Sequence, residues 1–246
     1  MKKVLIVGAT SAIASECARQ WATEGSEFFL VARDGPKLQQ TCADLQARGA
    51  RAVTPYLMDV NEIAGHSMML ENCLKRLQTV NICLIAFGSL PDQQACEQSV
   101  ELTLEAFVTN GSSVIALLTL LANRMAVQRS GTLAVISSVA ADRGRPGNYV
   151  YGSAKAAVST FCEGLRARLF KTGVHVITIK PGFVDTPMTR GLRLPAMLVA
   201  QPEAVARRIV AGIERKTSVL YVPGFWAWIM CLIRAIPQPL FKRLNL

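Results

Sequence analysis

The feature that most restricts the fold is an alternation that runs the length of the chain. Short apolar runs at Val4–Val7, Glu27–Ala32, Ala52–Leu57, Val80–Ala86, Gly131–Ser137, Val174–Ile179 and Val219–Val222 read as strands. Between them lie segments with helical apolar spacing, ending near Trp21–Ala22 and then over Lys37–Arg48, Glu62–Leu77, Val100–Leu121 and Tyr151–Phe170. A strand, a helix and a second strand bring the chain back in the same direction. Repeating that unit builds a parallel sheet with helices on both faces. No repeat and no Pro/Gly-rich linker divides the 246 residues, so the pattern predicts one α/β domain with a doubly wound sheet.

The first strand runs into Gly8-Ala9-Thr10-Ser11-Ala12-Ile13-Ala14. Strand, small-residue turn and helix is the arrangement that aims backbone N–H groups at a pyrophosphate, and it also describes an ordinary tight turn. Ala12 and Ala14 stand where the dinucleotide fingerprint has Gly; Ala is the smallest replacement, so close approach of the helix is retained. The second strand ends in Ala32-Arg33-Asp34. An acid near this point would hold a ribose 2′-hydroxyl. Arg33 can instead pair with a 2′-phosphate, which favours NADPH over NADH; the alternative is a solvated Arg33 partnered by Asp34.

Asn148-Tyr149-Val150-Tyr151-Gly152-Ser153-Ala154-Lys155 opens the last long helical segment. On a helix Tyr151 and Lys155 lie one turn apart on one face. An ammonium beside a phenol favours the phenolate, so this spacing predicts a Tyr with a lowered pKa, suited to exchanging a proton with a carbonyl oxygen.

Composition excludes several classes. Hydrophobic residues are 51% and charged residues 18%, which rules out disorder as the main state. The seven Cys form no Cys-x-x-Cys pair and His66 and His175 are far apart, so no metal site or disulfide framework is expected and the thiols read as reduced and mostly buried in a cytoplasmic protein. His66 reads as a surface helix residue, His175 as a strand residue, and Met68-Met69-Leu70 as helix core. The net charge is +10, concentrated late: nine Lys or Arg from Arg190 onward stand against Glu203 and Glu214. That excess suits an anionic substrate or membrane surface. Interleaved aromatics and recognition motifs are lacking, so no nucleic-acid partner is expected.

The Gly8 turn, Asn110 in its apolar helical segment, Ser138 thirteen positions before Tyr151, the Tyr151/Lys155 pair and Pro181-Gly182-Phe183-Val184-Asp185-Thr186 occur in one order. In this combination the chain resembles the short-chain dehydrogenase/reductase family over nearly its whole length. The resemblance implies a Rossmann-type fold and an NAD(P)-dependent oxidoreductase. It implies Tyr151 as general acid in reduction, Lys155 lowering the Tyr151 pKa and binding the nicotinamide ribose, Ser138 on the substrate oxygen and Asn110 holding a relay water. For the cofactor it implies Gly8, Ser11, Ala12 and Ile13 at the pyrophosphate and Arg33 at the 2′-phosphate. Asp59 and Val60 would meet the adenine, Ala86 and Gly88 would pass behind the cofactor, and Pro181, Gly182, Val184 and Thr186 would line its nicotinamide end. Ile85-Ala86-Phe87-Gly88 departs from the family's usual Asn-Asn-Ala-Gly.

That segment, Asn148 to Ser153, and the stretch from Tyr221-Val222-Pro223-Gly224 to Phe241-Lys242-Arg243-Leu244 resemble one branch, the decaprenylphosphoryl-2-keto-ribose reductase type. The branch implies a ketone on a polyprenyl-phosphate-linked pentose, in cell-wall arabinose supply. Residues 1–224 then form the dinucleotide-binding catalytic domain, and 225–246 an apolar, basic tail of the same domain. The uncharged stretch Phe225–Ile233 is short for a span of ~20 residues. Aromatics followed by Arg234, Lys242 and Arg243 fit a segment lying in a membrane interface, on the inner face of the cell membrane, or packing in a homo-oligomer; the adjoining charge favours the membrane. The loop Met188–Pro202, with Arg190 and Arg193 among Leu192, Leu194, Met197 and Leu198, reads as a cover over the substrate. Two other readings remain: a hydroxysteroid or other lipid-alcohol dehydrogenase, and a dinucleotide-binding redox sensor or scaffold without turnover.

Overall fold

The computed structural model describes residues 1–192 and 194–244; the Arg193 of the expected cover lies outside them. Seven strands form one parallel sheet: β1 (Lys3–Val7), β2 (Glu27–Ala32), β3 (Ala52–Leu57), β4 (Ile82–Ile85), β5 (Gly131–Ile136), β6 (Val174–Pro181) and a last strand, β9 (Val219–Val222), in the order β3-β2-β1-β4-β5-β6-β9. The chain winds outward from β1 in one direction, then crosses back to β4 and winds the other way. This is the doubly wound Rossmann-type arrangement, and it leaves a crevice where β1 and β4 diverge.

The alternation of side chains along each strand builds two cores. Val4 and Ile6 face α1 (Ala12–Ala22), α2 (Gly35–Ala47) and α8 (Pro202–Glu214), with Trp21, Leu45 and Ile209 fully buried among them. Leu5 and Val7 face α3 (His66–Leu77), α6 (Ser113–Gln128) and α7 (Tyr149–Leu169), meeting Met69, Leu118 and Val158. The segment Val100–Gln128 is long and apolar enough to cross a membrane by composition, with a mean hydropathy of 1.5. Here Val114, Leu117, Leu121 and Met125 pack it into the second core.

Three sequence expectations change. Val100–Leu121 is not one helix: α5 (Val100–Phe107) is joined to α6 by a π-helical turn over Val108–Ser112, after a short α4 (Gln93–Gln98). The wide turn buries Asn110 and Gly111, whose positions are set by neighbouring elements rather than by helical propensity. His66 is not a surface residue. It is fully buried at the start of α3, its Nε2 2.7 Å from the carbonyl oxygen of Val60, which ties the helix to the loop after β3. Met68 is exposed, whereas Met69 and Leu70 are core.

Past β6 the chain forms a two-stranded pair, β7 (Phe183–Val184) with β8 (Val199–Ala200). After β9 come α9 (Trp226–Ala235) and α10 (Gln238–Phe241). These helices fold back on the domain: Trp226 and Met230 are buried with Val139, against Phe183, Leu198 and Tyr221. The indole of Trp226 lies on Gly182, where a Cβ would fall 1.9 Å from its Nε1. Each of these buried side chains contributes about 1.5–3 kcal/mol to docking the tail.

Candidate active site

The crevice between β1 and β4 opens at the carboxyl ends of the strands. Gly8 leaves β1 with φ of 87°, and a Cβ there would lie 2.6 Å from the backbone N of Phe87. Only glycine lets the first turn press against the segment after β4. Ala86 donates its N–H to the Val7 carbonyl at 2.8 Å and continues that contact. Helix α1 begins at Ala12 with Ser11 as N-cap, no side-chain cap and no acid in its first turn. The N–H groups of Ala12, Ile13 and Ala14 find no acceptor outside the helix among the described residues. Free donors at the positive end of a helix dipole fit the pyrophosphate of a dinucleotide. Ala14 is fully buried in the core, so the departure from Gly there costs no room on the ligand side.

Arg33 is exposed at the carboxyl end of β2. Asp34 is not its partner: the carboxylate accepts from the Lys37 N–H at 3.1 Å and pairs with Lys37 Nζ at 3.2 Å, contacts that hold its pKa below the usual value. Asp59 and Val60 follow the edge strand β3, Asp59 accepting from the Asn61 N–H at 2.9 Å. Asn61 Nδ2 in turn donates to Thr109 Oγ1 at 2.9 Å, linking this loop to the π turn.

On the other side of β4 the remaining candidates meet. A Cβ at Gly88 would fall 2.8 Å from Asn110 Oδ1 and 3.5 Å from Lys155 Nζ, so the bare backbone of Gly88 is the floor between them. Asn110 is fully buried; its Oδ1 accepts from the Ser89 N–H at 3.0 Å and its Nδ2 donates to the Ala106 carbonyl at 3.0 Å. Lys155 is 2% exposed and donates to the Ile136 carbonyl at 3.1 Å. Its Nζ lies 5.8 Å from the centroid of the Tyr151 ring, one turn back on α7. The two serines after β5 divide the work. Ser137 Oγ donates to the Lys155 carbonyl at 3.1 Å and lies 2.8 Å from Ser159 Oγ, fixing α7 to the strand. Ser138 is directed toward the Tyr151 hydroxyl and accepts from the Ala140 N–H at 3.1 Å.

The electrostatics overturn one expectation. Burial pushes the Tyr151 phenol up to about 12, only partly offset by the nearby Ser138 hydroxyl. Burial also brings Lys155 down to about 8. Proximity in sequence predicts Coulombic acidification of Tyr151; desolvation dominates instead, and the ammonium is turned to the Ile136 carbonyl.

Along the third edge, Pro181 and Val184 are buried and Gly182 lies beneath Trp226. Thr186 is drawn into a tight turn, its N–H donating to Thr189 Oγ1 at 3.2 Å. The network behind it leaves no local signal in the sequence. Lys180 Nζ pairs with Asp142 Oδ1 at 2.5 Å, and the Tyr221 hydroxyl donates to Asp142 Oδ2 at 2.7 Å. Gln93 Oε1 accepts from the Val150 N–H at 3.1 Å and secures the start of α7. Among the described residues no group of His, Cys, Asp or Glu could hold a metal ion.

Lys155→Met follows directly from the buried ammonium. Because folding lowers this pKa, the desolvation cost is fully present below about pH 8 and fades as pH rises toward 10.5. Removing the charge while keeping the stem's packing should stabilise the fold by about 1–3 kcal/mol at pH 7, a rise in Tm of about 2–10 °C, with a smaller gain at pH 10. Thermal unfolding at the two pH values reads this; a lower Tm at pH 7 would contradict it.

Comparison with known proteins agrees with this architecture. A family model described as short chain dehydrogenase matches residues 2–196. An uncharacterized oxidoreductase of Mycobacterium tuberculosis is 34% identical over 98% of this chain and 96% of its own length. The ketoacyl reductase HetN of Nostoc is 28% identical over 90% of this chain and 78% of its own. The crystal structure of levodione reductase superposes with a TM-score of 0.83, covering 92% of this chain and 98% of that one, at 20% identity. The chain is an oxidoreductase of the short-chain dehydrogenase/reductase family, whose members bind a nicotinamide dinucleotide.

Proposed function

We propose that this enzyme is an NADPH-dependent ketoreductase that converts a ketone to a secondary alcohol, and that its substrate is a keto-sugar carried on a polyprenyl phosphate lipid. The observation that carries the reaction is a chain of neighbours at one rim of the sheet: Asn110 and Lys155 meet over Gly88, Lys155 Nζ lies 5.8 Å from the Tyr151 ring centroid, and Ser138 faces the Tyr151 hydroxyl. The bound dinucleotide would supply the hydride. Tyr151, with its pKa pushed up to about 12, keeps its proton at neutral pH and donates it to the carbonyl oxygen. Ser138 hydrogen-bonds the same oxygen. Lys155 steadies the nicotinamide ribose and replenishes the Tyr151 proton, through a water held by Asn110.

Arg33 supports the choice of NADPH: it is exposed at the ribose end of the crevice and leaves Asp34 to Lys37. The tail supports a lipid substrate. Trp228 and Leu232 are 76% and 70% exposed, one turn apart on α9, and Phe225 and Leu240 are also exposed in the tail. Arg234, Lys242 and Arg243 are exposed in the same tail, and residues 225–246 contain no acid. An apolar face with a cationic edge suits the inner face of a cell membrane. The open groove along α7 at Ala157, Phe161, Gly164 and Leu165 supports a homo-oligomer in which a second copy covers it.

Three measurements test these points. Tyr151→Phe should lower kcat by about 10²–10⁴-fold with NADPH affinity unchanged; full activity would refute the role. Arg33→Asp should weaken NADPH by roughly tenfold or more in a fluorescence titration while sparing NADH. Tighter binding of NADH than NADPH by the unaltered chain would overturn the cofactor choice. The full chain should float with vesicles of anionic phospholipid, and a Trp228→Ser, Leu232→Ser double variant should not; equal flotation would remove the membrane reading.

A further inference from the structure

The loop that joins β5 to α7 carries two arginines with opposite fates. Arg143 is fully engaged. Its Nη1 donates to the carbonyls of Ile233 at 2.5 Å, Arg234 at 3.2 Å and Ile236 at 2.7 Å, its Nη2 donates to Gln238 Oε1 at 3.0 Å, and its guanidinium lies 3.7 Å from the Phe241 ring centroid. Arg145 has none of this. Its side chain is half-buried, its Nε is sealed from solvent without an acceptor, and no carboxylate lies within ion-pair distance of it among the described residues. Burial pushes its guanidinium pKa down with no opposing contact. The one acid in the loop, Asp142, is already held by Lys180 and Tyr221.

The position of this cation matters as much as its lack of a partner. Ser138 is the second residue of the loop and Tyr151 lies just beyond it. The middle of the loop is pinned to α7, since a Cβ at Gly152 would meet the Ala140 carbonyl oxygen at 2.9 Å. The Asn148 N–H donates to the Arg145 carbonyl at 3.1 Å, closing a turn that brings the two residues together. Asn148 Oδ1 is likewise sealed without a partner, and the side chain does not cap α7. Around the turn there is room, because a Cβ at Gly144 or Gly147 would meet nothing within 4 Å.

A partly desolvated cation without a counter-ion is costly to a fold. In the loop between Ser138 and Tyr151 it points to a charge that a ligand completes. We propose that Arg145, with Asn148 beside it, forms a subsite for a phosphate or carboxylate group on the substrate. The planar guanidinium matches the paired oxygens of either group. The Asn148 amide, in either orientation, offers a hydrogen bond to the group or to an adjacent hydroxyl. The positive end of the 21-residue α7 dipole adds to the attraction. That the anion belongs to a ketone rests on the ketoreductase reading; that the subsite takes an anion does not.

The test separates the two. Inorganic pyrophosphate is titrated calorimetrically into the full chain saturated with NADPH, so that the cofactor crevice is filled. The unaltered chain should bind it, Arg145→Gln should bind at least tenfold more weakly, and Arg145→Lys should recover part of the loss. No binding by the unaltered chain, or equal binding by Arg145→Gln, overturns the subsite. In parallel, reduction of a phosphorylated 2-ketopentose is compared with that of the same sugar without phosphate. Arg145→Gln should raise KM for the phosphorylated sugar tenfold or more, leaving kcat and the neutral sugar within about twofold. Equal losses on both sugars would make Arg145 a structural residue and overturn the proposal. Pyrophosphate binding through Arg145 without reduction of either ketone would leave the subsite standing and count against the ketoreductase reading.

Discussion

The buried ammonium of Lys155 is the constraint around which the rim of the sheet is arranged. Its hydrogen bond to the Ile136 carbonyl ties α7 to the end of β5 from the charged side. Ser137 ties the same turn from the other side, through the Lys155 carbonyl and Ser159. Gly88 can bear no side chain because Asn110 and Lys155 occupy that space. Asn110 reaches it only because a π turn widens the helix by one residue, sending its amide to Ser89 and Ala106. Four separate elements are thus fixed relative to one ammonium, and a loose contact in any of them would leave the cation with less to hold it.

The substrate side rests on a second set of polar contacts, which joins segments far apart in sequence. Asp142 receives Lys180 from the end of β6 and Tyr221 from β9, while its neighbour Arg143 closes over the carbonyl end of α9. Cations at a helix C-terminus satisfy carbonyls that have no intrahelical donor. The turn carrying Ser138 is therefore coupled to the tail through adjacent residues. Trp226 completes the connection by lying on Gly182 and meeting Phe183 edge-on, with centroids 5.3 Å apart. The tail is built into the wall beside the crevice.

Much of this was legible in the sequence where local signals decide structure. Glu27–Ala32 and Ala52–Leu57 read as strands and form β2 and β3 with those bounds. The Gly8 turn and the positions of Ser138, Tyr151 and Lys155 could be placed because each follows a strand or opens a helix. The failures are all tertiary. Periodicity continues through Val108–Ser112, so a π turn imposed by the neighbours of Asn110 leaves no local trace. His66 has the flanks of a surface residue and is buried because the Val60 carbonyl needs a donor. Spacing shows that Lys155 is near Tyr151 but not that both are desolvated, so it predicts the wrong direction for the Tyr151 pKa. Ser137 and Ser138 are chemically identical in sequence, and only the alternation at the end of β5 turns one to α7 and the other to Tyr151.

A phenol kept protonated by burial and an ammonium brought near neutrality by the same cause have a joint consequence. A lowered Tyr pKa would suit removal of a proton from an alcohol, whereas a raised one holds the proton for delivery to a carbonyl oxygen. Burial brings Lys155 down to about 8, closer to physiological pH than an ordinary lysine. Before ligands enter, the phenol therefore carries its proton at neutral pH. A bound dinucleotide and an anionic substrate would act on this state through their own charge, since both would enter a rim where Lys155 and Arg145 lack carboxylate partners among the described residues. Their negative charge would raise the Lys155 pKa and refill its proton, while the phenol remains protonated until the carbonyl oxygen gains charge. The same desolvation that makes the empty rim costly thus makes it responsive to what binds there.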